Sequence, residues 1–131
     1  MSDAWADLNR RAAAVAGGVA WKRGMHDDAG HMVQCVCPQR GVREYSTQGE
    51  IGPFTGRPDM SHAGTCGILR AALGNPSVIF EKRYDDTVWQ CGLIIEGRAV
   101  CDFIGYGDTR EQAEAAALVE LAEARTEWGP G

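Results

Sequence analysis

Gly105-Tyr106-Gly107-Asp108-Thr109-Arg110-Glu111-Gln112-Ala113 is the stretch of this sequence that most strongly predicts local structure. Its first three residues are typical of a tight turn. Asp108 and Thr109 can each cap a helix, because their side-chain oxygens accept a bond from a free backbone amide. Glu111 and Gln112 follow them at the three-residue spacing of a capping box. The stretch therefore predicts a turn and then the start of a helix.

The residues after this start predict a helix with an apolar face and a charged face. The apolar positions recur at helical spacing and are Ala113, Ala117, Leu118, Leu121 and Ala122. Glutamates occupy other positions, and we interpret them as facing solvent: Glu111, Glu114, Glu120, Glu123 and Glu127. Arg110 stands almost alone beside them. We therefore expect this helix to present negative charge outward along about four turns.

The chain upstream of this helix predicts one helix and three antiparallel strands. Ser61 is a candidate cap for a helix that runs to about Leu73. Alternating apolar residues predict strands over 77–84, 88–95 and 99–104, with a hairpin at Glu96-Gly97. The register of that hairpin stays open between a two-residue and a three-residue loop, and the longer loop would place Cys91 opposite Cys101. Both helices lie on one face of the sheet or one on each.

Residues 1–60 predict a looser arrangement. An alanine-rich helix spans residues 5–15, and short strands cover 19–21 and 32–37, the second ended by Pro38. Residues 39–60 read as a long irregular loop. The fold class is therefore α+β: an α-β-β-β-α core over 61–131, a short N-terminal helix, and two further strands as an optional part of the sheet. Residues 1–60 and 61–131 form one compact domain.

Charge is distributed unevenly along the 131 residues. The chain has 13 basic and 18 acidic residues, a net charge of −5. Residues 1–76 are nearly neutral, whereas residues 77–131 hold five basic and eleven acidic residues. A protein that grips nucleic acid by its phosphates needs the opposite sign, so nucleic acid is not the expected partner. No apolar run is long enough for a membrane span and no signal peptide is evident, which predicts a cytoplasmic protein.

The five cysteines predict buried thiols rather than a catalytic or metal centre. Cys35 and Cys37 form a C-x-C pair, a spacing that suits structural zinc poorly, although a metal held by these two and His31 stays open. Cys66 lies one turn after His62 but on the apolar stripe, so we interpret it as an inert core thiol. No P-loop, nucleophile elbow or zinc helix occurs. We expect no cofactor and no enzymatic activity.

The α-β-β-β-α order, closed by Gly105-Tyr106-Gly107 and the alanine-rich helix, resembles the end of a double-stranded RNA-binding domain. That family has a G-x-G turn and then a helix with repeated alanines. Its functional mark is a run of lysines at the helix start, directed at phosphates across a groove. The matching positions here hold Arg110, Glu111 and Glu114. The resemblance implies the fold, while the charge opposes RNA binding.

A second resemblance is to phage-encoded ABA sandwich domains, in which a helix, an antiparallel sheet and another helix form three layers. It covers roughly residues 45–125. The residues that carry it are Tyr45-Ser46-Thr47, the strand around Trp89, and the helix with Thr109, Ala113 and Ala116-Ala117-Leu118. The resemblance implies a bacteriophage or prophage accessory protein, a class that often blocks host defence. It transfers no binding residue.

Three function classes follow. The first is a non-enzymatic, anti-CRISPR-like inhibitor that docks its acidic helix on the basic surface of a host defence protein. The second sequesters a nucleotide signal with basic and aromatic residues: Arg40, Arg43, Tyr45, Arg57 and Arg110. The third is a module that binds double-stranded RNA. Whether the chain forms a homo-oligomer stays open.

Overall fold

A computed structural model describes residues 3–15, 21–39, 42–48, 55–83, 87–95 and 103–124, and these ranges form an α+β fold. The helices are α1 (Asp3–Ala13), α2 (Ala63–Ala72) and α3 (Arg110–Glu123). The strands are β1 (Met32–Gln39), β2 (Val42–Gln48), β3 (Ser77–Arg83), β4 (Val88–Ile94) and β5 (Phe103–Gly107). Strands β1 and β2 form an antiparallel ribbon, and β3-β4-β5 form an antiparallel sheet. The predicted fold class and the α-β-β-β-α core are confirmed.

Helix α3 is packed against the sheet and against both other helices, and it keeps an exposed side that carries Glu111, Glu120 and Glu123. It packs on β4 and β5, and both α1 and α2 pack against it. Ala115 and Val119 are therefore buried, although the predicted apolar face did not include them. The other buried residues are Gln112, Ala113, Ala117, Leu118, Leu121 and Ala122. The predicted apolar face is buried and Glu111, Glu120 and Glu123 are exposed, as expected, but the buried face is wider than predicted because α1 and α2 also cover part of α3.

Gly105 and Gly107 lie in strand β5, so the predicted tight turn at this position is wrong. Both glycines lie directly under the backbone of α3. A Cβ added at Gly105 would come within 2.3 Å of the Ala117 nitrogen, and one at Gly107 within 2.7 Å of the Ala113 nitrogen. Glycine is needed here for close approach of two backbones rather than for a turn.

The register of the β4–β5 pair differs from both of the registers left open above. Cys91 lies opposite Gly105, and Trp89 lies opposite Gly107. Cys91 therefore does not face Cys101. Residues 96–102 themselves lie outside the described ranges. The packing of α3 explains the shift, since this register brings both glycines to the inner face of the sheet.

The ribbon of β1 and β2 corrects the predicted loop over residues 39–60. Strand β2 occupies Val42–Gln48 and pairs along β1, with Tyr45 opposite Val36. Strand β1 continues through Pro38, which lies opposite Arg43 instead of ending the strand. A two-stranded ribbon tolerates proline wherever its missing N–H would point away from the partner strand. Of the strand predicted over 19–21, only Trp21 is described, and it lies outside any strand.

Helix α2 begins one residue later than expected. His62, not Ser61, is its N-cap: the ring Nδ1 accepts a hydrogen bond from the Thr65 amide at 3.1 Å. The Ser61 hydroxyl instead donates to Asp59 Oδ1. The helix ends at Ala72, and Gly74 follows shortly after it with a φ of +94° that suits glycine, the terminator that the sequence predicts.

One apolar cluster joins the two halves of the chain. Leu93, Leu118 and Leu121 belong to it, and Trp89 and Phe103 pack against it, which confirms the predicted core of residues 61–126. Residues before 61 also belong to it: Leu8, Ala12, Val15, Trp21, Met25, Val33 and Met60. Within the described ranges, no helix is long and apolar enough to cross a bilayer.

Candidate functional site

Three of the predicted partner-binding glutamates form ion pairs within the chain. Glu114 accepts a hydrogen bond of 2.8 Å from Arg70 of α2. Glu120 and Glu123 both bind Arg11 of α1, at 3.0 Å and 2.6 Å. The charge of these three glutamates is therefore balanced within the chain, because α1 and α2 each supply an arginine. Glu127 lies outside the described residues.

Arg11 fixes the position of α1 on α3. Hydrogen bonds to Glu123 and then to Glu120 raise the pKa of Arg11 above its usual value, although partial burial opposes them. The guanidinium therefore stays charged and bound to two carboxylates. A partly exposed ion pair of this kind contributes at most about 1 kcal/mol to stability. Its structural effect is to orient the two helices and to neutralise charge on this side of α3.

The N-terminal turn of α3 (Asp108–Glu111) retains its negative charge. Thr109 Oγ1 accepts from the Gln112 amide at 3.1 Å, while Gln112 Oε1 accepts from the Asp108 amide at 2.7 Å. Arg110 lies with its guanidinium 4.5 Å from the Phe80 ring centre. Asp108 and Glu111 are exposed and have no basic partner among the described residues.

Arg110 faces two aromatic rings, since its guanidinium also lies 5.5 Å from the centre of the Trp89 ring. A cation over an aromatic face is held there by the quadrupole of the ring. The only arginine in the turn is therefore drawn towards the sheet. The carboxylates of Asp108 and Glu111, in the same turn, face solvent.

An open cleft of about 410 Å³ adjoins this turn. It lies between α1 on one side and the end of β5 with the start of α3 on the other. Leu8, Val88 and Ala116 give it an apolar lining, and Asp7, Asp108 and Tyr106 add polar groups. Tyr106 is 52% exposed. The cleft thus combines apolar surface with the carboxylates of Asp7 and Asp108.

Cys66 lines a second, smaller cavity of about 110 Å³ next to Arg70 and Glu114. Burial raises the pKa of its thiol to about 12, and Glu114 and Asp59 add to the effect. The thiol donates a hydrogen bond to the Met60 carbonyl at 2.9 Å. The interpretation of Cys66 as a core thiol is confirmed, because this environment disfavours the nucleophilic thiolate.

Asp27 and His31 form a buried polar pair whose role is structural. The Asp27 carboxylate accepts hydrogen bonds from the amides of His31 (2.7 Å) and Thr55 (3.1 Å) and lies 3.2 Å from His31 Nδ1. Burial alone raises the pKa of Asp27, but these hydrogen bonds outweigh it, so the pKa is lowered. Both residues are nearly inaccessible, at 0% and 4% exposure. The Asp27 carboxylate therefore connects the segment at His31 to the segment at Thr55.

The described part of the structure does not bring together the residues proposed for nucleotide binding. Arg40 lies outside them, and Arg43 and Tyr45 are described only through their place in β2. Arg57 is exposed before α2, and Arg110 lies against Phe80 and Trp89. The described side chains contain no group of three residues able to hold a metal, and those of Cys35 and Cys37 are not among them.

Comparison with known proteins gives no match: no family model, curated protein or solved structure is significantly similar to this chain. The resemblances to ABA sandwich domains and to double-stranded RNA-binding domains stay predictions. Sequence reasoning missed two residues of the cleft, Asp7 and Tyr106. Tyr106 was assigned to a turn, and the alternation of Gly105-Tyr106-Gly107 is the signal that would have placed it on a strand with its side chain outward.

Proposed function

We propose that this chain is a non-enzymatic binding protein that docks on a basic protein surface through the N-terminal turn of α3 and the adjoining cleft. The observation that carries the proposal is the position of Arg110, which lies over Phe80 and Trp89 and leaves the carboxylates of Asp108 and Glu111 exposed. The net charge of −5 has the same sign as this turn, so long-range attraction favours a basic partner.

A protein suits this surface better than a nucleic acid. In the double-stranded RNA-binding domains that this chain resembles, the start of the corresponding helix contacts RNA phosphates. Here Glu111 is exposed at that point and Glu114 is bound to Arg70. Bringing phosphates to this turn would create repulsion instead of releasing counterions. A protein whose own surface is shaped for nucleic acid carries the complementary charge.

We further propose what kind of protein the partner is. On the strength of the resemblance to phage ABA sandwich domains, we take the partner to be a bacterial defence protein with a basic nucleic-acid channel. Occupation of that channel would inhibit the defence system without any chemical step. The acidic turn and cleft supply the charge that such a channel attracts.

A plaque assay tests this function. The chain would be expressed in bacterial strains that each carry one nucleic-acid-guided defence system, and phage plating would be compared with that on empty-vector strains. We expect rescue of plating on at least one strain. Charge reversal by Asp108→Lys with Glu111→Lys should abolish rescue, whereas Glu81→Lys, an exposed site on β3, should keep it.

Several outcomes would overturn the proposal. One is the absence of rescue on every strain, and another is rescue that survives the double charge reversal in a protein with an unchanged melting temperature. Gel shifts and thermal shifts supply the remaining tests. Tight binding of duplex RNA at physiological salt would favour the RNA-binding alternative, and a rise in melting temperature with cyclic nucleotides would favour the sequestering alternative.

A further inference from the structure

We infer that the cleft between α1 and β5 receives a single arginine or lysine side chain of the partner protein. The inference rests on the proposed function and specifies how its surface makes contact. The cleft measures about 410 Å³, within the range of pockets that enclose small ligands. One long side chain therefore fits inside it.

The lining of the cleft suits a side chain with an apolar stem and a charged end. Leu8, Val88 and Ala116 offer apolar surface to the stem, as aliphatic portions of arginine and lysine require. Asp108 offers a carboxylate with no basic partner among the described residues. Tyr106 also lines the cleft and is 52% exposed.

The charge balance around the cleft also favours a cation. Arg11 lines the cleft, but Glu120 and Glu123 hold its guanidinium. Asp7 pairs with Arg10, whose side chain is 63% exposed, and exposed pairs of this kind are weak. The charged residues that line the cleft are therefore the carboxylates of Asp7 and Asp108 and the single arginine Arg11. A phosphate would meet this excess of carboxylates, so an anionic ligand is disfavoured.

Titration by nuclear magnetic resonance with N-acetyl-arginine methylamide tests the inference. The matched probe is N-acetyl-citrulline methylamide, which has nearly the same shape but no charge. We expect the arginine probe at millimolar concentration to shift the amide signals of residues 7–11, 88 and 106–112. The citrulline probe should shift them far less. Asp108→Asn should weaken arginine binding about fivefold, the upper range for one exposed charge pair.

Glu81→Gln removes the same charge from an exposed site on β3, outside the cleft, and should leave binding unchanged. Equal binding of both probes, or no effect of Asp108→Asn, would overturn the inference. Its failure is distinct from failure of the proposed function. If the probe does not bind but charge reversal still abolishes phage rescue, only the inference falls; if the probe binds but no strain shows rescue, only the function falls.

Discussion

Because Gly105 has no Cβ, helix α3 can lie very close to strand β5. The backbone atoms of Ala113 and Ala117 lie where a Cβ would stand, so the helix rests directly on the strand. This close approach in turn places Gly107 under the first turn of α3. The position of the candidate site therefore depends on a residue that does not contact it.

Gly105→Ala should destabilise the protein strongly. The added Cβ would lie 2.3 Å from the Ala117 nitrogen and 2.5 Å from the Ala113 oxygen, and neither backbone atom can move without displacing the helix. Overpacking of this kind costs about 1–3 kcal/mol and sometimes more. Urea denaturation would measure the loss. A variant as stable as the natural protein would show that α3 does not rest on β5 at this point.

The buried carboxylate of Asp27 should make the stability of the protein depend on pH in the acid range. Its pKa is lowered in the folded protein, so the stability it contributes is present above its unfolded pKa and is lost as the pH falls through its folded pKa. We expect the free energy of unfolding to fall below about pH 4, near the unfolded value for aspartate. In Asp27→Asn this part of the decline should vanish, and stability at neutral pH should drop by about 2–3 kcal/mol.

Asp28→Asn is the matched control for this measurement. Asp28 is the next residue along the chain, but it is only half-buried and its carboxylate accepts a hydrogen bond from the Thr55 hydroxyl at 2.6 Å. Its replacement should leave most of the acid dependence in place. If Asp27→Asn and Asp28→Asn behaved alike between pH 3 and pH 7 (about one unit below and three above the usual pKa of aspartate), the buried network would not explain the acid response.

At the scale of elements, α2 contains two glycines in different surroundings. A Cβ at Gly67 would meet nothing within 4 Å, whereas one at Gly64 would come within 2.8 Å of the His62 ring. That ring caps the helix and lies 3.9 Å from the ring of His26, measured between centroids. The two positions therefore separate helix propensity from the integrity of the cap.

Gly67→Ala should stabilise the protein by about 0.5–1 kcal/mol, since alanine loses less backbone entropy in a helix. Gly64→Ala should show no such gain, because the His62 ring must move and loss of a cap costs about 1 kcal/mol. Thermal denaturation of both variants would measure the difference. Equal gains would mean that the contact of His62 with Thr65 adds nothing to stability.

Local patterns predicted most elements, and non-local packing explains where they failed. The helix at Thr109 and the strand through Trp89, Cys91 and Leu93 follow from caps and alternation within a few residues. Strand β2 was missed because Val42–Gln48 lies between Gly41 and Gly49, and its apolar residues Val42 and Tyr45 do not alternate at the two-residue period of a strand. The register of Gly105 against Cys91 depends on α3, which no pattern within the hairpin encodes.

Non-local packing also limits how much of the candidate site the sequence predicts. Charge alone identified the glutamates of α3, but the arginines that bind them lie far away in sequence. Arg70 is 44 residues from Glu114, and Arg11 is 109 residues from Glu120. Only the packing of α1 and α2 on α3 brings these pairs together. Sequence reasoning could therefore predict acidic residues on this helix but not which of them stay unpaired.

At the scale of the whole molecule, the N-terminal residues complete the core of the C-terminal half. Leu8, Trp21, Met25 and Val33 are each at most 6% exposed and belong to the same cluster as Leu118. A shortened chain that begins at Thr55 would lack them. We expect this fragment to show no cooperative unfolding in urea and no near-ultraviolet dichroism. A fragment that melts cooperatively within a few degrees of the full chain would contradict this.

Leu8→Ala tests the same point within the full chain. Leu8 is 5% exposed, lies on α1 and also lines the cleft, so its truncation should cost about 2–5 kcal/mol and weaken binding of the arginine probe. Arg10→Ala, on the exposed side of α1, should change stability by less than about 0.5 kcal/mol. If Leu8→Ala had an equally small effect, α1 would not be packed on α3. The cleft would then lack one wall, because α1 supplies Ala4, Asp7, Leu8 and Arg11 to it.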